Sequence, residues 1–179
     1  MEIVPYRQSL SHSCLVACFL MMLQARYGIQ FTERDEQRLA LMGSRRIHPF
    51  YVAGIPVEIA REFKKNIVAY VDNKFFTQVL QQQSFDTSSH MRAEHKPITI
   101  ELIQEELAKH PLICHVDTHG LGDYSHSSHF IVLERLAGKM VVIIDPWTGV
   151  KRKIAQRTLV GAIESLKSEV KMCPMLFTI

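Results

Sequence analysis

The chain has 179 residues, 47% of them apolar and 22% charged, with a net charge of +3. That length suits one domain with a sizeable core and is short for two, so residues 1–179 are read as a single domain. The charge is too small and too scattered to indicate a nucleic-acid partner, and the longest apolar run, residues 15–23, is well short of a membrane span.

Ser11 or Ser13 caps a helix over residues 14–27, with Gly28 just past its end. Its residues from Leu15 onward are apolar almost all round, which predicts burial in the middle of the fold. Thr32 opens a second helix, with Asp35 as its capping-box partner and Gly43 as its stop. Pro56 suits the first turn of a third helix, ending near Lys65. Residues 67–71 read as a short strand and 74–83 as a helix; the polar, aperiodic stretch 84–97 reads as a long loop. Thr99 caps a helix to about Lys109, closed by Pro111.

The second half changes character. Residues 112–116 form a strand, and 117–128 a loop with two glycines. Residues 130–136 and 140–144 are rich in Val and Ile and flank Ala137-Gly138, a hairpin signal. A further strand (150–154), an amphipathic helix (157–167) and a last strand (170–179) follow, with Pro174 marking an edge or bulge. The sum is an α+β fold, with a central buried N-terminal helix packed on a C-terminal antiparallel β-sheet.

Folding the hairpin about a three-residue loop, Leu136 to Gly138, sets His129 opposite Asp145. Opposed Cβ atoms stand roughly 5 Å apart, close enough for an imidazole–carboxylate hydrogen bond that fixes the ring tautomer. Cys14, at the start of the buried helix, meets unpaired backbone N–H groups and the positive end of the helix dipole, which favour a reactive thiolate. Its own N–H points where an oxyanion would form. Gln8, six residues upstream, is the candidate second donor.

These residues also carry a family resemblance. Val4-Pro5-Tyr6-Arg7-Gln8, then Cys14-Leu15-Val16-Ala17-Cys18 and Tyr27-Gly28, resembles the start of the bacteriocin-processing peptidases. Those are papain-like domains that cleave leader peptides after a double glycine and are often fused to an ABC exporter. Ser128-His129-Phe130-Ile131-Val132-Leu133 and Ile143-Ile144-Asp145-Pro146-Trp147-Thr148-Gly149 resemble two later strands of the family, and Pro111-Leu112-Ile113 the strand before them. The resemblance covers about residues 4–170. It implies a papain-like cysteine peptidase fold with Cys14 as nucleophile, His129 as base, Asp145 as orienting residue and Gln8 as oxyanion donor. It further implies a peptide or protein substrate and no cofactor. The family usually has Asp-Cys-Gly where this chain has Ser13-Cys14-Leu15, a departure that reshapes the approach to the thiol. The sequence shows neither spanning helices nor a phosphate-binding Gly-Lys-Ser/Thr loop, so it reads as a stand-alone relative.

His115, His119, His126 and His129 crowd one segment with Cys114, Asp117 and Asp123, and include zinc-ligand types. No helical spacing gathers them on one face, so a metal site ranks below the hydrolase reading. His126 is a second candidate base, disfavoured because it sits in the loop with no carboxylate opposite it; that loop borders the site. Cys18, Cys114 and Cys173 read as small buried hydrophobes. Free thiols and the absence of a basic, signal-like start predict a cytoplasmic protein. Three classes of function follow: a cysteine peptidase or amidase; a glutamine deamidase or acyl or peptidyl transferase on the same fold; and a catalytically silent peptide-binding domain, which Leu15 favours.

Overall fold

The computed structural model describes residues 2–46, 51–86 and 90–179; among these, six α-helices and a seven-stranded mixed sheet make an α+β fold. Helix α1 (Cys14–Tyr27) is buried along its whole run from Leu15 to Leu23 and ends at Gly28, whose φ of +68° is the left-handed conformation glycine accepts without strain. Ser13 stands at its N-cap, but its hydroxyl makes no cap bond to the helix. It turns instead toward Leu10 O and the Glu36 carboxylate.

Helix α2 (Glu33–Arg46) opens with the expected reciprocal box: Thr32 N–H donates to Asp35 Oδ2 at 2.9 Å and Asp35 N–H to Thr32 Oγ1 at 3.4 Å. It does not stop at Gly43. That glycine serves a close crossing with α3 (Tyr51–Phe63), where a Cβ on Gly54 would stand 2.1 Å from Gly43 O. Pro56 lies inside α3 rather than in its first turn.

The remaining elements are β1 (Ile67–Val71), α4 (Lys74–Asp86), β2 (Met91–His95), α5 (Ile100–Leu107), β3 (Leu112–Asp117), a 3-10 turn (His119–Leu121), β4 (Ser128–Ala137), β5 (Met140–Asp145), β6 (Val150–Ala155), α6 (Gln156–Ser168) and β7 (Met175–Thr178). The sheet order is β2-β1-β7-β3-β4-β5-β6.

Two expectations need correction here. The stretch 84–97 is not a loop throughout: α4 extends into it, and β2 runs parallel to β1 with Ala93 opposite Ala69. Residues 87–89 of that stretch lie outside the described residues. The last strand is not at an edge but lies between β1 and β3, with Pro174 just ahead of it and its carbonyl accepting Asp72 N–H at 3.1 Å. The sheet is therefore mixed and draws strands from both halves of the chain, rather than being a C-terminal antiparallel block.

Side-chain alternation divides the core into two layers. Ile113, Phe130, Val132, Ile144 and Phe177 face α1, α2 and α3; Cys114, Ile131, Leu133, Ile143 and Leu176 face α5 and α6. Burial on both faces explains why β3, β4 and β5 read as continuous apolar runs. The sheet and the α2–α3 pair cover α1 from both sides, which is what its all-round apolar sequence requires.

Candidate active site

Strand β3 ends, β4 begins and β5 ends at one end of the sheet, and α1 starts there. Helix α1 is seated on β4 by the Cys18 thiol, which donates to Phe130 O at 3.5 Å. Cys14 lies one turn before Cys18, and His129 one residue before Phe130. The two are neighbours: the Cys14 thiol lies close enough to the His129 ring to raise its pKa. The ring's Nε2 is held by Asp145 Oδ1 at 2.8 Å, which leaves Nδ1 for the sulfur. Cys14 is partly exposed, whereas His129 is 3% and Asp145 9% exposed.

The pairing of His129 with Asp145 is reached by a different register from the one the sequence predicted. The hairpin loop is two residues, Gly138 and Lys139, with Ala137 opposite Met140 and Gly138 at φ +63°. A bulge at Glu134 then shifts the ladder, so that Val132 faces Ile144. Continued one step, Asp145 stands level with Ile131, two residues from His129, and the side chains meet diagonally on one face.

Burial pulls the pKa of His129 down, but the hydrogen bond to Asp145 and the nearby Cys14 thiol outweigh it and set the ring at about 9. Burial likewise raises the Asp145 carboxyl, yet the bond to His129 holds it below the ordinary value. Asp145 Oδ1 also accepts Trp147 N–H at 2.9 Å, and the half-exposed Trp147 ring stands edge-on to the imidazole with centroids 6.0 Å apart. The other three thiols are poor nucleophiles. Burial pushes Cys18 and Cys114 well up, and burial with the nearby Asp72 charge puts Cys173 at about 11.

Gln8 lies against the turn that follows Asp145. Its N–H donates to Pro146 O at 2.7 Å, and Gly149, at φ +70°, admits Arg7 to within 3.0 Å of where a Cβ would be. Its Nε2 donates to Leu10 O at 2.5 Å, which leaves one amide hydrogen, and its Oε1 is buried without a partner. No hydrogen bond joins Gln8 to Cys14, His129 or Asp145 among the described residues; it stands on the segment that leads into Cys14.

The histidine-rich segment does other work. The expectation that His126 lacks a carboxylate is overturned: its Nδ1 bonds Asp117 Oδ2 at 2.6 Å. Asp117, fully buried, also accepts Ser165 Oγ–H at 2.6 Å and the N–H groups of Ser127 and His119. His119 stacks on His126 at 4.2 Å. This is a clamp on the 117–128 loop, since the serine bonds the carboxylate directly instead of lying beyond the imidazole. His115 is buried between Cys173 O (3.0 Å) and Ser128 Oγ (2.7 Å), and burial lowers its pKa to about 4, so it is neutral. Among the described residues no group of three or more His, Cys, Asp or Glu has the geometry to hold a metal ion. No described helix is long and apolar enough to cross a membrane.

Sequence reasoning missed Glu36 and Trp147. Glu36 was detectable in principle, because a carboxylate occupies the buried stripe formed with Leu39, Ala40 and Gly43. Trp147 left no such signal. No protein-family model matches this chain, and no curated protein matches it.

Proposed function

We propose that this chain is a papain-like cysteine hydrolase acting on amide bonds of a peptide or protein. One observation carries the reading: Asp145 Oδ1 holds the His129 ring at 2.8 Å, and the ring lies near enough to the Cys14 thiol for the thiol to raise its pKa. With the ring charged below about pH 9, an imidazolium lies beside the sulfur and stabilises a thiolate there. The thiolate attacks the carbonyl carbon, and the Cys14 N–H and the free Gln8 amide hydrogen serve as oxyanion donors. His129 gives its proton to the leaving nitrogen, the C–N bond breaks and a thioester remains. Water, deprotonated by His129, then releases the acid and the free thiol. The resemblance to double-glycine leader peptidases supports a peptide substrate. Leu15, which replaces that family's Gly, is 1% exposed and packs in the core, so it adds no bulk at the thiol.

Iodoacetamide labelling of the native protein, mapped by mass spectrometry, tests the reading. Cys14 is expected to react at pH 6 at least tenfold faster than Cys18, Cys114 or Cys173, and His129→Ala is expected to remove most of that advantage. Equal rates for Cys14 and Cys173, or no effect of His129→Ala, would overturn it. Peptide profiling with Cys14→Ala as control then separates cleavage from the mass change of about one dalton that accompanies deamidation through the same thioester.

A further inference from the structure

We propose that Glu36 is a positioning residue for this reaction, an inference that rests on the cysteine-hydrolase reading: it holds the loop carrying Gln8 and Cys14 so that both oxyanion donors keep a fixed relation. Glu36 is wholly buried on α2. A carboxylate with no exposure is costly unless its oxygens are satisfied, and no Lys, Arg or His among the described residues pairs with it. Among the described residues, all its side-chain partners lie in residues 6–13. Tyr6 O–H donates to Oε2 at 2.6 Å, Ser9 N–H is shared between the two oxygens at 3.0 and 3.1 Å, and Ser13 O–H reaches Oε1. These contacts bracket Gln8 on both sides and end at the residue before the nucleophile.

The network also reaches the Gln8 amide. Ser13 Oγ has one proton and two acceptors within reach, Glu36 Oε1 and Leu10 O, the latter at 2.9 Å. Leu10 O is the acceptor that holds Gln8 Nε2. When the Ser13 hydroxyl donates to the carboxylate, it no longer competes for Leu10 O, which then accepts only Ser13 N–H, at 3.4 Å, and the Gln8 amide, and the second amide hydrogen is fixed in direction. Glu36 thus acts on the donors through Ser13 and Leu10 without touching the reacting atoms.

Two electrophiles separate this role from a structural one. Iodoacetamide alkylates the thiolate and forms no oxyanion. p-Nitrophenyl acetate acetylates it through a tetrahedral oxyanion, forming an S–C bond as the C–O bond breaks and releasing p-nitrophenolate. In Glu36→Gln an NH2 group faces the hydroxyl and N–H donors. Acetylation of Cys14 is then expected to slow at least tenfold, while alkylation changes less than threefold and the melting transition stays cooperative; removing one oxyanion donor costs about 100- to 1000-fold, which bounds the effect from above. If both rates fall together, or neither falls, the proposal is overturned. If wild-type Cys14 is acetylated no faster than the same peptide denatured in urea, the cysteine-hydrolase reading fails first and takes this proposal with it. Should Glu36→Gln not fold, Ser13→Ala carries the same comparison, because it cuts the link to Leu10 and leaves Glu36 its bonds to Tyr6 and Ser9.

Discussion

Replacing Asp145 by Asn would remove the charge that holds the imidazole and leave the ring's burial unopposed on that side. His129 stands at about 9 in the folded chain, against about 6.5 for a free histidine. Because the folded ring binds its proton more tightly than the unfolded one, its contribution is whole below about pH 6.5 and lost as pH rises through about 9. The difference is worth roughly 3 kcal/mol. His115, held near 4 by burial, adds stability as pH rises toward about 7, and the raised thiols of Cys18, Cys114 and Cys173 lose it as pH rises above about 8. These titrations are common to wild type and Asp145→Asn, so the difference between their urea-unfolding profiles from pH 6 to 9 isolates the His129–Asp145 interaction. His129 is expected to account for a loss of roughly 3 kcal/mol across this range in wild type, and for less than half of that in Asp145→Asn, since Asp145 heads the interactions that raise the ring. A wild-type stability that is flat across the window, or an Asn variant that falls as steeply as wild type, would refute the ion-pair account.

Three further substitutions test the frame around the site. Burial alone would raise Asp117, but hydrogen bonds from Ser165, His126, Ser127 and His119 bring it to about 2. Its contribution, roughly 2 kcal/mol, is present above about pH 4 and lost as pH falls toward 2. Asp117→Asn should flatten the acid-unfolding curve between pH 4 and 2, and an unchanged curve would count against the clamp. Gly54→Ala drives a Cβ to 2.1 Å from Gly43 O, a backbone atom that cannot move without parting α2 from α3. A loss of about 3 kcal/mol is expected by thermal melting. Gly161→Ala, whose Cβ meets nothing within 4 Å, should instead gain up to about 1 kcal/mol.

What the sequence made legible was set by local chemistry. Helix α1 was readable because its apolar run, its glycine stop and its length agree. The strands of the second half were readable because Val and Ile cluster between turn residues. Strand β2 was hidden because Met-Arg-Ala-Glu-His buries only small or single apolar groups on one face, with charge on the other. The central place of β7 was hidden because Pro174 is a common edge signal, whereas here it precedes the strand and leaves every ladder N–H intact. Gly43 misled for a similar reason. A glycine after a helical run resembles a C-cap, and only the approach of α3 reveals that it makes room. The clamps at Glu36 and Asp117 are long-range, joining α2 to the N-terminal segment and β3 to α6, and no spacing rule reports such contacts.

The hairpin shows why the candidate pair could be found through a wrong register. Side chains alternate with a period of two, so a register error matters only by its parity. The actual two-residue loop, continued without a break, would set Asp145 opposite Val132, on the face away from His129. The bulge at Glu134 restores the parity and returns Asp145 to the face of His129. The predicted pairing differs from the observed one by two residues, an even shift, so the two side chains still share a face. The bulge is itself pinned. Glu134, 7% exposed, accepts Ile3 N–H at 3.0 Å and the Lys151 ammonium at 2.7 Å. The residue that aims Asp145 therefore also anchors the start of the segment that carries Gln8 and leads into Cys14. Glu36 grips the same segment farther along and Pro146 O grips its middle, so strand register, the Asp145 carboxylate and the segment leading to Cys14 are set by one connected set of hydrogen bonds.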